Sequence, residues 1–173
     1  MLPARFPVAV TIERNAISNR WAKEEWHVGA VERDDSPRRP PVRMVHEKNC
    51  TRWRFTGLSI ELHASESEGY HLNITSPDPT VFVMWRMAEV AYANEEQPSA
   101  FPVVVTVSYN EAARLLDGGE RVDATPLSAE MLAWMQPFVE ANYRPEPKRK
   151  VRRNELYERD QVADRKATVK RSP

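Results

Sequence analysis

A chain of 173 residues with 25 basic and 25 acidic side chains is long enough for one domain with material left for a tail. No stretch approaches the ~18 consecutive apolar residues of a transmembrane helix. The opening Met1-Leu-Pro-Ala-Arg-Phe-Pro7 offers neither the basic leader nor the apolar core of a secretory signal, so a cytoplasmic location without membrane insertion is expected.

The formal neutrality conceals a division. Residues 144–173 hold 11 Lys or Arg against 5 Asp or Glu, a surplus of six positive charges, so the first 143 residues carry six net negative charges. Residues 1–143 are expected to form a compact domain, and 144–173 a basic, proline-initiated tail without structure of its own. The lone Cys50 excludes an intrachain disulfide framework and an iron–sulfur cluster held by this chain's thiolates alone.

In chain order, Val8–Glu13 and Trp26–Val31 read as the first two strands. Asp34–Pro41 is a proline-rich break, and Val42–Val45 is a short edge strand. Arg52–Phe55 alternates, with Trp53 and Phe55 on one side and two arginines on the other. Leu58, Ile60, Leu62 and Ala64 then alternate with polar residues, as do Tyr70, Leu72 and Ile74. This predicts a hairpin that sets Leu62 opposite Leu72 and His63 opposite His71. Thr80–Met87 is apolar on both faces and reads as a central strand. Pro102–Ser108, rich in valine, reads as another strand buried on both faces, with Pro102 at its start.

Ser108 and Glu111 have capping-box spacing for a helix that leaves through Gly118-Gly119, and Thr125-Pro126 resembles a second helix start. The apolar stripe of that helix is Leu127, Met131, Trp134, Phe138 and Val139, with Pro137 expected to kink or end it. The architecture implied is α+β: a mainly antiparallel twisted sheet or incomplete β-barrel with two C-terminal helices packed on it.

The sequence carries no strong catalytic signature. It lacks a Gly-x-Ser-x-Gly elbow, a His-Glu-x-x-His pair and a phosphate loop, and no cofactor is implied by the residues. His46, Cys50, His63 and His71 are the available zinc donors, yet they lack paired metal-ligand spacing. The strand pattern gives Arg52–Phe55 a structural reading rather than a nucleic-acid one. The basic tail is the stronger interaction candidate, through Lys148, Arg149, Lys150, Arg152, Arg153 and Tyr157. It suits an acidic protein surface and, as an alternative, the phosphate backbone of nucleic acid.

Asn19-Arg-Trp21, the strand from Pro79 to Arg86, Ser108–Gly119, Val122-Asp123, Leu132-Ala-Trp134 and Tyr143–Pro147 together resemble a small bacterial family of uncharacterised proteins encoded in formate dehydrogenase gene clusters. The resemblance implies a non-catalytic accessory or adaptor role in assembly or regulation of a molybdenum- or tungsten-dependent formate dehydrogenase. A component or maturation factor of that enzyme would be the protein partner. It assigns no catalytic residues to this chain.

Overall fold

The computed structural model describes residues 4–89 and 96–145. Phe6, Val8, Val10 and Ile12 recur at every second position of β1 (Ala4–Ala16) and are all buried. That apolar face makes β1 an interior strand, flanked by β2 (Glu24–Arg33) and β4 (Cys50–Leu62), with β3 (Val42–His46) completing the order β2-β1-β4-β3. A second sheet holds β5 (Thr80–Met87), β6 (Ala100–Thr106) and β7 (Arg121–Pro126) in the order β6-β5-β7. Every strand pairing in both sheets is antiparallel. The class is α+β as expected, with two sheets that are not closed into a barrel in place of one.

Side chains from both sheets share one core: Val10, Ile12 and Ile60 from the first sheet and Val81, Val83 and Val105 from the second. The sheets are also joined by a polar contact, since the Val28 amide of β2 donates to Asp123 Oδ2 of β7 at 2.8 Å. Met131, Met135 and Val139 of α3 (Ala129–Asn142) enter the same core, and Trp134 lies 5.1 Å from the ring of Phe6. Burying side chains of this size contributes ~1.5–3 kcal/mol each.

The predicted hairpin is absent. Leu62 and Ile60 pair with Ala4 and Phe6 of β1, and the second arm is instead a 3-10 turn at Ala64–Glu66 followed by α1 (Ser67–Ile74). His63 and His71 are therefore not cross-strand neighbours. Burial along α1 falls on Ser67, Tyr70 and Asn73, every third residue, while Leu72 is exposed. Two of the three inward residues are polar, so the apolar residues alone show a false period of two. Gly69 also belongs inside this helix, because a Cβ there would come within 2.2 Å of Ser108 Oγ.

Three further expectations need correction. β6 is an edge strand, not one covered on both faces, and its Val103 and Phe101 are exposed. Pro102 lies within β6, where the pairing steps from Met84–Val104 to Trp85–Pro102 and Val103 bulges out; an edge bulge tolerates a missing amide donor. Thr125 and Pro126 finish β7 rather than starting a helix. α3 starts instead behind Ser128, whose Oγ accepts from the Met131 amide at 3.2 Å, and it runs on through Pro137.

The Ser108 cap of α2 (Tyr109–Asp117) is present, with Oγ accepting from the Glu111 amide at 3.1 Å. Its reciprocal half is relayed. Glu111 accepts a hydrogen bond from the Thr106 hydroxyl, which in turn accepts from the Ser108 amide at 3.1 Å. Gly119 leaves the helix with φ of 82°, as the glycine pair predicts.

Asn73 ties these parts together. Its Nδ2 donates to Thr80 O at 2.7 Å and Val107 O at 2.8 Å, and its Oδ1 accepts from the Thr80 amide at 2.9 Å, all at a residue 1% exposed. Asn73→Ala leaves three buried backbone groups without their partner. Urea denaturation should show a loss of ~2–4 kcal/mol, well above the ~1 kcal/mol of an ordinary hydrogen bond. A loss under ~1 kcal/mol would show that water replaces the amide at no cost.

Candidate functional site

A concave surface lies where the first sheet meets β6, and it is built around one glycine. In the β1–β4 ladder, Val8 faces Leu58 and Val10 faces Phe55, so Ala9 stands opposite both Thr56 and Gly57. This bulge sets Gly57 at φ of 75°, a conformation that strains residues bearing a side chain. The glycine is also pressed from outside. A Cβ on it would fall 2.3 Å from Arg38 Cα, because the segment between β2 and β3 crosses over it.

That crossing segment, residues 34–41, is held as a strap by directed contacts. Asp34 Oδ1 accepts from the Ser36 amide at 2.7 Å, and Asp34 Oδ2 accepts from Arg54 Nη2 at 2.9 Å. The Asp34 amide donates to Pro7 O at 3.2 Å, and the Thr56 hydroxyl donates to Pro37 O at 3.0 Å. The Ser36 hydroxyl first, and then Arg54, hold the Asp34 carboxyl at about 2, below its usual 3.8. Between these fixed ends the prolines limit the backbone to extended shapes.

Strap, bulge and β6 together enclose a cleft of about 470 Å³. Its apolar surface comes from Pro40, Pro41, Phe55, Leu58, Phe101 and Pro102, and its rim from Arg38 and Arg39. Those two guanidiniums have no ion-pair partner among the described residues. The other arginines along the strands and helices are largely committed: Arg5 to Glu61, Arg52 to Glu13, Arg54 to Glu32 and Asp34, Arg86 to Glu120, and Arg114 to Glu66. From Leu58 a second, more polar groove of about 300 Å³ continues the seam toward His63, between Ser59 and Glu61 of β4 and Val104 to Thr106 of β6, with Glu111 at its side. The seam is thus cationic at one end and acidic at the other.

A family of proteins described as "Protein of unknown function (DUF3305)" matches residues 7–152, most of the chain. The chain belongs to this family. No curated protein and no solved structure matches it. The DUF3305 span takes in β1 from Pro7 onward, β2 to β7, α1 to α3 and the basic stretch as far as Arg152.

The zinc-donor candidates do not converge. His46 ends β3 and Cys50 begins β4, whereas His63 follows the far end of β4, thirteen residues or ~40 Å of extended strand away. His71 is stacked on Tyr143 with ring centroids 4.1 Å apart. Among the described residues no three His, Cys, Asp or Glu side chains are grouped to hold a metal ion. The pair Trp53 and Phe55 divides: Trp53 is fully buried and stacked on Trp26 at 5.3 Å, while Phe55 is half-buried on the cleft. Arg52 and Arg54 are engaged with carboxylates. Trp85 is buried in the core, with the Arg121 guanidinium 5.3 Å from its ring. Lys148, Arg149, Lys150, Arg152, Arg153 and Tyr157 lie outside the described residues. No helix among the described residues is long and apolar enough to cross a membrane.

Three measurements test this geometry. Gly57→Ala should destabilise the chain by ~1–3 kcal/mol in thermal or urea unfolding, since it adds backbone strain and a clash with the strap. Gly119→Ala, with positive φ and open space around it, should cost only the strain. The Asp34 value is depressed by folding, so its stabilising effect is complete above the usual value of 3.8 and is lost as pH falls through about 2. Carboxyl NMR should therefore find Asp34 titrating near 2. In Asp34→Asn, amide exchange over residues 34–38 should be faster at pH 6 and lose its acid dependence.

Proposed function

We propose that this chain is a non-catalytic accessory protein that works by holding another protein, and that its partner is a component or maturation factor of a molybdenum- or tungsten-dependent formate dehydrogenase in the cytoplasm. The observation that carries the binding role is the open seam between β4 and β6, an apolar cleft with two arginines that have no ion-pair partner among the described residues, on an otherwise acidic body. The exposed Phe101 and Val103 add apolar surface where no strand covers β6. The choice of enzyme rests on the resemblance carried by Ser108–Gly119 and the other segments quoted above.

Binding of this kind uses two sorts of contact. The cleft supplies a shaped apolar surface, and the charge of Lys148 to Arg153 supplies long-range attraction that speeds encounter with an acidic partner. Neither requires a prepared catalytic group.

The test is affinity capture of the full-length chain from native cell extract. It runs beside a full-length variant with Lys148, Arg149, Lys150, Arg152 and Arg153 changed to Gln, with mass spectrometry and nucleic-acid quantitation of what is retained. Formate dehydrogenase subunits should be enriched on the native chain and reduced several-fold on the variant. Recovery of RNA or DNA without a defined protein partner, lost as salt is raised, would replace this reading with nucleic-acid binding through the tail.

A further inference from the structure

The Arg38 side of the seam defines a ligand chemistry. We propose that the cleft between the strap and β6 is a docking site for an extended peptide segment of a partner protein, with a bulky apolar side chain seated on Phe55, Leu58 and Phe101 and acidic residues on either side of it reaching Arg38 and Arg39. This deepens the reading of the chain as a protein-binding accessory and rests on it.

Four observations support this occupant. The volume of about 470 Å³ falls within the range of ligand sites, and the groove that continues from Leu58 makes the surface elongated rather than a closed cavity. From Thr56 to Leu62 the seam follows ~20 Å of strand, the length of a six-residue extended segment. Its charge is asymmetric. Arg38 and Arg39 have no carboxylate among the described residues, although the first 143 residues carry net negative charge, so an acidic ligand replaces a contact that the body itself leaves unmade. The lining of the other end holds no Lys or Arg among the described residues, and its Glu61 is already paired with Arg5, so the acidic residues of the segment find their cations at the strap end.

The edge of β6 also selects the mode of recognition. Pro102 has no amide to donate and Val103 bulges from the ladder, so the edge is poorly suited to adding a strand. Specificity therefore comes from side chains in the cleft, and proline, with its pre-set extended backbone, is well tolerated in the ligand.

The experiment uses the purified full chain and fluorescein-labelled hexapeptides of the pattern Glu-Glu-Pro-X-Glu-Glu, with X being Leu, Ile, Phe or Trp. Matched sets carry Lys for every Glu, or Ala at X. Fluorescence anisotropy should show the acidic set binding at least tenfold more tightly than the Lys and Ala sets. The double variant Arg38→Glu/Arg39→Glu should lose about tenfold or more in affinity for the acidic set and gain affinity for the Lys set. Both arginines are exposed, so circular dichroism of that variant should match the native chain. Phe101→Ala should weaken every acidic peptide without reversing the charge preference.

Equal binding of acidic and Lys sets by the native chain, or an affinity unchanged by the charge reversal, would overturn the proposal. So would tighter binding by a full chain carrying Glu155→Gln and Glu158→Gln, which would assign the cleft to the chain's own tail. The wider reading fails separately: acidic peptides bound as expected, with no formate dehydrogenase subunit captured from extract, would reject that enzyme as partner and leave the site in place.

Discussion

The side-chain amide of Asn73 sits where the two halves of the fold have to agree. Its two donor hydrogens and its acceptor oxygen meet the beginning of β5 and the chain just past β6, so one buried group joins α1 to both strands of that pair. Position and satisfaction are inseparable here. A buried amide with all its bonds made is stable only in this arrangement, and shifting α1 by a residue would leave several polar atoms dry. Gly69 reinforces the choice by admitting Ser108 to the surface of α1, and Ser108 in turn donates to Glu66 at 2.7 Å while capping α2. The helices thus meet through small and polar residues, whereas the sheets meet through valines, isoleucines and aromatics.

With the sheets placed, the site follows from a bulge and a strap. The extra residue in β4 would be a local irregularity if nothing used it, but here it makes room for the Arg38 backbone and turns Phe55 and Leu58 toward one surface. The prolines of the strap, anchored by Asp34 and Thr56, hold the opposite wall. Little conformational entropy remains for a ligand to remove from such walls, and this favours binding by a surface of modest area. The two arginines stand on that stiff support, exposed and without a carboxylate partner among the described residues.

Much of the strand content was legible in residue order. Val8–Glu13 and Trp26–Val31 are found within strands, and along the first of them burial on one face imposes a period of two. The Ser108 cap is found because its hydroxyl and the Glu111 amide lie within one helical turn. Legibility ended where polar residues point inward. Ser67 and Asn73 are buried and Leu72 is not, so α1 shows the wrong periodicity to any reading that follows apolar residues. Thr125 and Pro126 suit a helix start locally, but pairing with Val81 and Thr80 takes them into β7. The cleft could not be read at all, since it combines residues 38–41, 55–58 and 101–102, which come near one another only where the strap after β2 and strand β6 of the other sheet both pack on β4. The Arg-Arg-Pro-Pro run and Gly57 were its visible traces, each unremarkable alone.

One feature at the end of the described chain reaches beyond its own neighbourhood. Tyr143 lies flat on His71, and its amide bonds Val139 O at 2.8 Å, so the backbone leaves α3 from an anchored point. An anchored origin converts residue count into distance, because a chain advances at most ~3.6 Å per residue, and the ten steps from Tyr143 to Arg153 span at most ~36 Å of backbone. A partner touching both the basic cluster and the body is therefore held by two contacts on a short tether. Two individually weak contacts would then combine as avidity, with the length between Tyr143 and the cluster setting the gain.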